Sequence, residues 1–292
     1  MWRIIEEIPF SEPCFGVKAS FSQEEIYFND YFGQVACLLF SSTEMNSAIL
    51  VNQKGRKFVS TEYSAFGALY GNSILENEVF KKLTDFLDLN HFYLTIKLPW
   101  ISAIPNNELK LFESLGFLSE RSTTHVVHLD QYKIHPSKLR AISRDNCDSL
   151  EICFATFKEI ILSWEWILAE LGLKGIRSIS ASRVLNLCTL LPDSFRLVLL
   201  KANGNLVGVA LIEIGAAFIR VPNYFVSKDI PGGAAKLIHW IYEYAKLQEK
   251  NFVDLGISQD PNSGNANPGI VFFKEQMGGI PVSLMQWSLG EL

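Results

Sequence analysis

The stretch from Asn267 to Gly279, NPGIVFFKEQMGG, sets one lysine on a short helix whose start and stop are both written in the sequence. Asn267 followed by Pro268 is a cap residue and a proline suited to the first helical position, and Gly278-Gly279 ends the run. Lys274 falls in the last two turns, while Phe273 and Met277, four apart, hold a different face against a sheet. A lysine at the mouth of a cleft suits a phosphate, or the negative charge that develops on an acyl oxygen. Facing water, it is an ordinary ion-pairing residue. Either way the spacing predicts an exposed side chain whose loss leaves the fold intact. Upstream, Asp254 and Ser258 in DLGIS end a short strand expected to face this helix. Asp254 there accepts a proton or orients an amine, or else it caps a turn; Ser258 is suited to hydrogen-bond a carbonyl.

Three further segments carry polar groups in useful patterns. SQDPNSGNANPG (258 to 269) is a long polar loop of the kind that contacts ligands, with Asn262, Ser263, Asn265 and Asn267 as the residues expected to do so. SKDIPGGAAKL brings Lys228, Gly232, Gly233 and Ala234 to a helix N-terminus, where backbone N–H groups bind anions or a tight turn simply enters the helix. KIHPSKLRAISRDN holds Lys133, Lys138, Arg140 and Arg144, a local basic excess. A helix begun at Pro136-Ser137 sets Arg140 and Arg144 four apart on one face, as a substrate-binding cationic surface or a solvated linker. In the first half, Tyr63 and Ser64 are candidates to line a groove. The five histidines form no triad or metal spacing, so no metal is expected and each reads as an ordinary core or surface residue.

With 292 residues the chain suits two domains of ordinary size. Hydrophobic residues at 48% and charged residues at 20% describe a folded globular protein. A net charge of −5 argues against a broad basic face for duplex nucleic acid. Five scattered cysteines without CxxC spacing read as reduced core thiols. MWRIIEEIPF has glutamates where a signal peptide needs an apolar core, and LVGVALIEIGAAFI is too short to span a bilayer. A cytoplasmic location follows as the expectation.

The elements that must position these groups are legible as periodicity. In the first half VACLLF, AILV and HFYLTIKLP read as strands, with NEVFKKLTDFLDLNH as a helix bearing Val79, Leu83, Phe86 and Leu87 on one face. A looser copy of the quoted helix, NNELKLFESLGF, then precedes the strand STTHVVHLD. In the second half, CFATFKEIILSWEWILAEL (153 to 171) and SASRVLNLCTLL (180 to 191) read as helices. FRLVLLKANGNLVGVALIEI is a hairpin turning at Asn203-Gly204-Asn205, and AAFIRVPNYFV is the next strand. GGAAKLIHWIYEYAKLQEK is a helix facing inward through Ala234, Ile238, Ile241, Tyr242 and Ala245, and the strand NFVDLG follows. The quoted helix and the strand VSLMQWSL complete an order β-β-β-α-β-α-β, an α+β sheet with helices on its faces.

That order resembles the GCN5-related N-acyltransferase (GNAT) fold. Its C-terminal hallmark, N-x-x-A-x-x-x-Y-x-x-x-G-F, anchored on Gly278, puts Asn267 on the asparagine, Ile270 on the alanine and Lys274 on the tyrosine. The earlier copy, anchored on Gly116-Phe117, puts Phe112 on the tyrosine. The pieces SAFGAL, IKLP, SLGF, SKLRAISRDN, NGNLVGVALI, DLGIS and FFKEQMGG, in that order, resemble the FemAB-like group of double-GNAT transferases, relatives of those that add amino acids to peptidoglycan bridges. The resemblance implies two tandem GNAT-like domains, residues 1–130 and 147–292, each a mixed, mostly antiparallel sheet flanked by helices and joined by a basic linker helix at 131–146. It implies an acyl- or aminoacyl-transferase acting on an amine in a cleft between or beside the two domains, with no covalent nucleophile. The donor is an acyl-CoA or an aminoacyl-tRNA. The CoA-binding turn of the fold, [RQ]-x-x-G-x-[GA], is damaged here: one alignment sets Asp229 on the basic position, the other sets Pro231 inside the cradle. The rival expectation is a non-catalytic GNAT-type module that binds a metabolite.

Overall fold

A computed structural model describes residues 2–5, 34–41, 46–54, 56–59, 69–71, 77–98, 118–143, 150–172, 179–215, 217–258 and 265–289. The chain forms two compact units, Met1–Ser122 with Ser283–Leu292, and Thr123–Val282. Residues 131–143 therefore lie inside the second unit, and the end of the last strand returns to the first.

In the first unit, strands β1 (Trp2–Ile5), β2 (Gln34–Ser41), β3 (Asn46–Lys54) and β4 (Lys57–Val59) pair in order as antiparallel neighbours. β5 (Leu69–Gly71) pairs with β3 as well. Helix α1 (Asn77–Leu89) buries Leu83 and Leu87, as its apolar spacing requires. It leads to β6 (Tyr93–Leu98), which pairs parallel with β4. A helical crossover is the connection that a parallel pair needs. The copy of the quoted helix at 106–117, and with it the strand–helix–strand repeat, lies outside the described residues.

The second unit is a layer structure of one sheet covered by helices. Its strands are β7 (Leu118–His128), β8 (Leu150–Phe154), β9 (Phe195–Ala202), β10 (Asn205–Ile214), β11 (Phe218–Val226) and β12 (Phe252–Ile257), in the spatial order β8-β9-β10-β11-β12-β7. All neighbours are antiparallel except β11 and β12, which are joined by helix α5 (Gly233–Leu247). The β9–β10 hairpin turns at Asn203 and Gly204, both at positive φ, the two-residue turn whose twist matches the strands. Helices α2 (Pro136–Ser143), α3 (Phe157–Gly172), α4 (Ala181–Leu190) and α6 (Pro268–Gln276) complete the unit before β13 (Ile280–Leu289), whose Met285–Leu289 pair with β6.

Two cores sandwich this sheet. On one face Val198, Leu200, Ala210, Ile212, Val253 and Leu255 pack with Ile238, Ile241 and Tyr242 of α5 and with Met277. On the other, Leu197, Leu199, Val209, Leu211 and Phe225 pack with Ile160, Trp164 and Ile167 of α3 and Val184 of α4. Burial on both faces is why β9 and β10 read as continuous apolar runs rather than alternating ones. Trp164 donates its Nε1 hydrogen to the Ile179 carbonyl at 2.8 Å and Trp166 packs on Phe225, so both tryptophans of SWEW serve the core.

The first helix of this half starts later than its apolar spacing suggested. Cys153 and Phe154 belong to β8, and Thr156 opens α3. Glu159, three residues on, reaches back to accept from the Thr156 backbone N–H at 2.8 Å and from its hydroxyl at 2.6 Å. Lys201 of β9 donates to the same carboxylate at 2.7 Å. The Lys201 bond first, then the two from Thr156, hold the Glu159 carboxyl down at about 2. A carboxyl depressed in the folded state adds stability above its ordinary pKa of 4.5, and that stability fades as pH falls towards about 2. Urea unfolding should therefore show Glu159→Gln less stable than the wild type at pH 6, with the gap closing between pH 4.5 and 2. Thr156→Ala should cost about 0.5–2 kcal/mol at pH 6.

Candidate active site

Helix α6 forms as its sequence dictates. The Asn267 side-chain oxygen accepts from the N–H groups of Gly269 and Ile270, and Pro268 occupies the first turn. Gly278, at φ +90°, closes it: the Gly278 N–H reaches Glu275 O and the Gly279 N–H reaches Lys274 O, both at 2.9 Å. These two bonds make a Schellman motif. Asn267, nominated as a ligand contact, spends its side-chain oxygen on the cap.

Lys274 departs from expectation. It is only 2% exposed, turned into the sheet rather than out of it. Its Nζ donates to the carbonyl of Gly256 at 2.7 Å and to that of Ile257 at 3.0 Å. In a regular strand successive carbonyls point to opposite edges, so one ammonium cannot take both. β12 makes it possible with a bulge: its register against β7 slips between Asp254 and Ile257, and Gly256 sits at φ +76°. Glycine is needed there twice over. An L side chain is strained at that φ, and a Cβ would lie 2.9 Å from the Val221 carbonyl oxygen of β11. Burial, the larger cause, lowers the Lys274 pKa to about 8; Arg220 adds to the lowering and Asp254 opposes it.

The other two nominated catalytic residues part company. Val253 and Leu255 pack into the core that holds Met277, so alternation turns Asp254 to the opposite face of the sheet, away from α6. There Asp254 accepts from the Thr124 hydroxyl and from the Gly256 N–H at 2.8 Å, and lies 3.6 Å from Nε of Arg220. Arg220 in turn lies 3.5 Å from Glu213. Glu213, Arg220, Asp254 and Thr124 thus form a polar stripe across β10, β11, β12 and β7, with both carboxylates buried. Ser258, also buried, hydrogen-bonds His125 of β7 through Oγ to Nδ1 at 3.0 Å, while its carbonyl accepts from the Asn267 N–H.

His125 is the residue that sequence reasoning missed. It is 1% exposed, and it shares its face with Val127 and Leu129 of the α5–α6 core. Burial and then Lys274 lower its pKa. Its only signal in the sequence was a histidine inside an otherwise β-branched strand, which is also what a bland core histidine looks like.

The remaining nominated groups are scattered. Lys228 is exposed in the turn before α5. Gly232, at φ +78°, lies so close to α2 that a Cβ would meet the Ala141 carbonyl oxygen at 3.1 Å. The Gly233 N–H is used inside the turn by the Ile230 carbonyl at 3.0 Å, and Ala234 is half-buried in the first turn of the helix. Arg140 is exposed on α2, a helix with no buried residue, and bonds back to the Pro136 carbonyl. Arg144, Asn262, Ser263, Tyr63 and Ser64 lie outside the described residues. Among the described residues, no helix is long and apolar enough to cross a membrane.

No known sequence family and no curated protein matches the chain. Solved structures do. FemX matches with a TM-score of 0.64 at 10% identity, over 92% of this chain and 93% of that one. The C-terminal domain (DUF2156) of a putative lysylphosphatidylglycerol synthetase from Agrobacterium fabrum matches at 0.60 and 12%, over 87% and 84%. A tandem GNAT protein from the clavulanic acid biosynthesis pathway matches at 0.53 and 10%, over 87% and 82%. At such identities the likeness is one of backbone alone. It shows that this chain has the α+β fold of the GNAT proteins, with mixed sheets flanked by helices.

Proposed function

We propose that the chain is an acyl- or aminoacyl-transferase that attaches its acyl group to an amine, with Lys274 as the cation of the reacting centre. The observation that carries this reading is the Lys274 ammonium: buried, fixed by two carbonyls, and left with a third N–H to offer. A preorganised cation of this kind stabilises charge where it develops, at no cost in reorganisation during the reaction. The donor's carbonyl oxygen takes the third N–H. The amine nitrogen attacks the carbonyl carbon, and the resulting oxyanion sits against the ammonium. Collapse breaks the bond to the leaving sulfur or oxygen, which receives the proton lost by the amine. The likeness to a tandem GNAT protein, a name that stands for N-acyltransferases, supports this class of transfer.

Between donors, the α5 turn favours one that does not depend on a pyrophosphate cradle. The Ala141 carbonyl of α2 lies against Gly232, and a carbonyl oxygen repels an anion. Acetyl-CoA should bind the full chain more weakly than about 10 μM by calorimetry, in the low-affinity half of the usual scale. A sub-micromolar Kd would mean that α2 moves aside and that acyl-CoA is the donor. The reading as a whole is tested by incubating the chain with acetyl-CoA, or with a mixed aminoacyl-tRNA pool, and a panel of primary amines. Mass spectrometry should find an N-acylated product with one donor. No product from either, while a metabolite still co-purifies with the chain, would instead favour a binding module.

A further inference from the structure

We infer that His125 is the proton acceptor of the transfer step, its Nε2 taking the proton that the attacking amine loses. This rests on the transferase reading above. Three observations converge on the ring. First, it shares a face of the sheet with Lys274, whereas Asp254, the carboxylate that the sequence nominated for this task, is on the other face. Gly279 shows how close the ring is to the helix end: a Cβ at that residue would lie 3.2 Å from the His125 Cβ and 3.0 Å from the Lys274 carbonyl oxygen. Secondly, Nδ1 is engaged by Ser258 Oγ at 3.0 Å, while Nε2 is buried without a hydrogen-bond partner among the described residues. Buried polar atoms are almost always satisfied, and one left open calls for a partner: a water, an ion or the reacting group of a substrate. With Nδ1–H donating to Ser258, Nε2 presents its lone pair, which is what an amine proton requires.

Thirdly, the surroundings keep the ring neutral. The charges whose fields reach it are those of Lys274 and Glu275 on α6 and, through the sheet from its other face, Asp254 of β12; burial and Lys274 outweigh the two carboxylates. A neutral imidazole beside a cation divides the work of the step. As the C–N bond forms, the amine proton passes to Nε2 and the oxyanion rests on Lys274. As the bond to the leaving atom breaks, His125 returns the proton to that sulfur or oxygen, and the ring ends as it began.

The tautomer can be read without any substrate. Long-range proton–nitrogen NMR on the 15N-labelled full chain should find His125 neutral at pH 7 with its proton on Nδ1, and its titration midpoint below 6.5. Ser258→Ala should weaken the preference for Nδ1–H. A proton on Nε2 in the wild type at pH 7 overturns the inference, because that nitrogen then has no lone pair to offer. The second arm uses whichever donor and amine give product in the assay above. His125→Gln should lower kcat by roughly 10²–10⁴ with little change in the donor's KM, and should abolish the acid limb of the pH profile. Free imidazole should restore part of the rate to His125→Ala. A wild-type rate in His125→Gln overturns the base assignment alone. Absence of transfer by the wild type with both donors removes the transferase reading, and the base assignment falls with it.

Discussion

Lys274→Met is expected to lower turnover by roughly 10²–10³, the loss that follows removal of one preorganised donor to a developing oxyanion. The chain should remain folded. Two opposing effects meet in that substitution: the two carbonyls of the β12 bulge lose a charged donor, but a buried charge is also removed. Each is worth a few kcal/mol, so the net change in unfolding free energy should stay within about 2 kcal/mol of zero. pH separates the two roles. Turnover needs the ammonium, so the wild-type rate should fall as pH rises through about 8. Stability runs the other way. The folded pKa lies below the ordinary 10.5, so between about 8 and 10.5 the unfolded chain binds more protons and stability rises with pH. Urea titrations of wild type against Lys274→Met should show this difference. A rate that is flat from pH 7 to 9.5 would show that the ammonium is not used in the reaction.

Asp254→Ala is expected to be strongly destabilising, costing about 3–5 kcal/mol. That is the usual consequence of removing one partner from a buried charge pair. The Thr124 hydroxyl and the Gly256 N–H would lose their acceptor, and Arg220 would lose the Asp254 side of its pairing. In a unit of this size the melting temperature should fall by roughly 6–20 °C. Because Gly256 carries one of the two carbonyls that hold Lys274, turnover should fall as well, yet recover in part at low temperature as the bulge re-forms. Lys274→Met should show no such recovery. If Asp254→Ala melts with the wild type but loses all activity, the carboxylate acts in the chemistry and not in the framework.

Much of the frame was legible in the sequence, and for identifiable reasons. The order β-β-β-α-β-α-β of the second half follows from strand and helix periodicity punctuated by Asn203-Gly204, Gly232-Gly233 and Gly278-Gly279, all of which are turns or helix ends in the structure. These signals are local: each depends on residues within four or five positions of one another. The apolar period placed Leu83, Leu87, Ile238, Ile241 and Tyr242 in cores, and the Asn267-Pro268 start gave helix α6 its cap. The helix start at 153 was wrong by four residues because Phe154 to Ile161 fits a helical face as well as a strand end. Only the Thr156–Glu159 contact decides between them.

By itself, then, the sequence determined the fold class, the elements and the presence of a lysine at position 274 of a capped helix. Tertiary structure decided where that lysine points. Its direction depends on a bulge at Gly256, and the bulge depends on the approach of the Val221 carbonyl from a strand more than thirty positions away. The same holds for His125 and Ser258, which are 133 positions apart and meet only because β7 lies beside β12. Asp254 and Lys274 look like partners along the chain, but the pleat of β12 turns Asp254 to the face of the sheet opposite α6. Local patterns fix backbone conformation because their energies are local. Burial and hydrogen bonding across strands set a side chain's charge and reach, and those partners are chosen by the packed sheet.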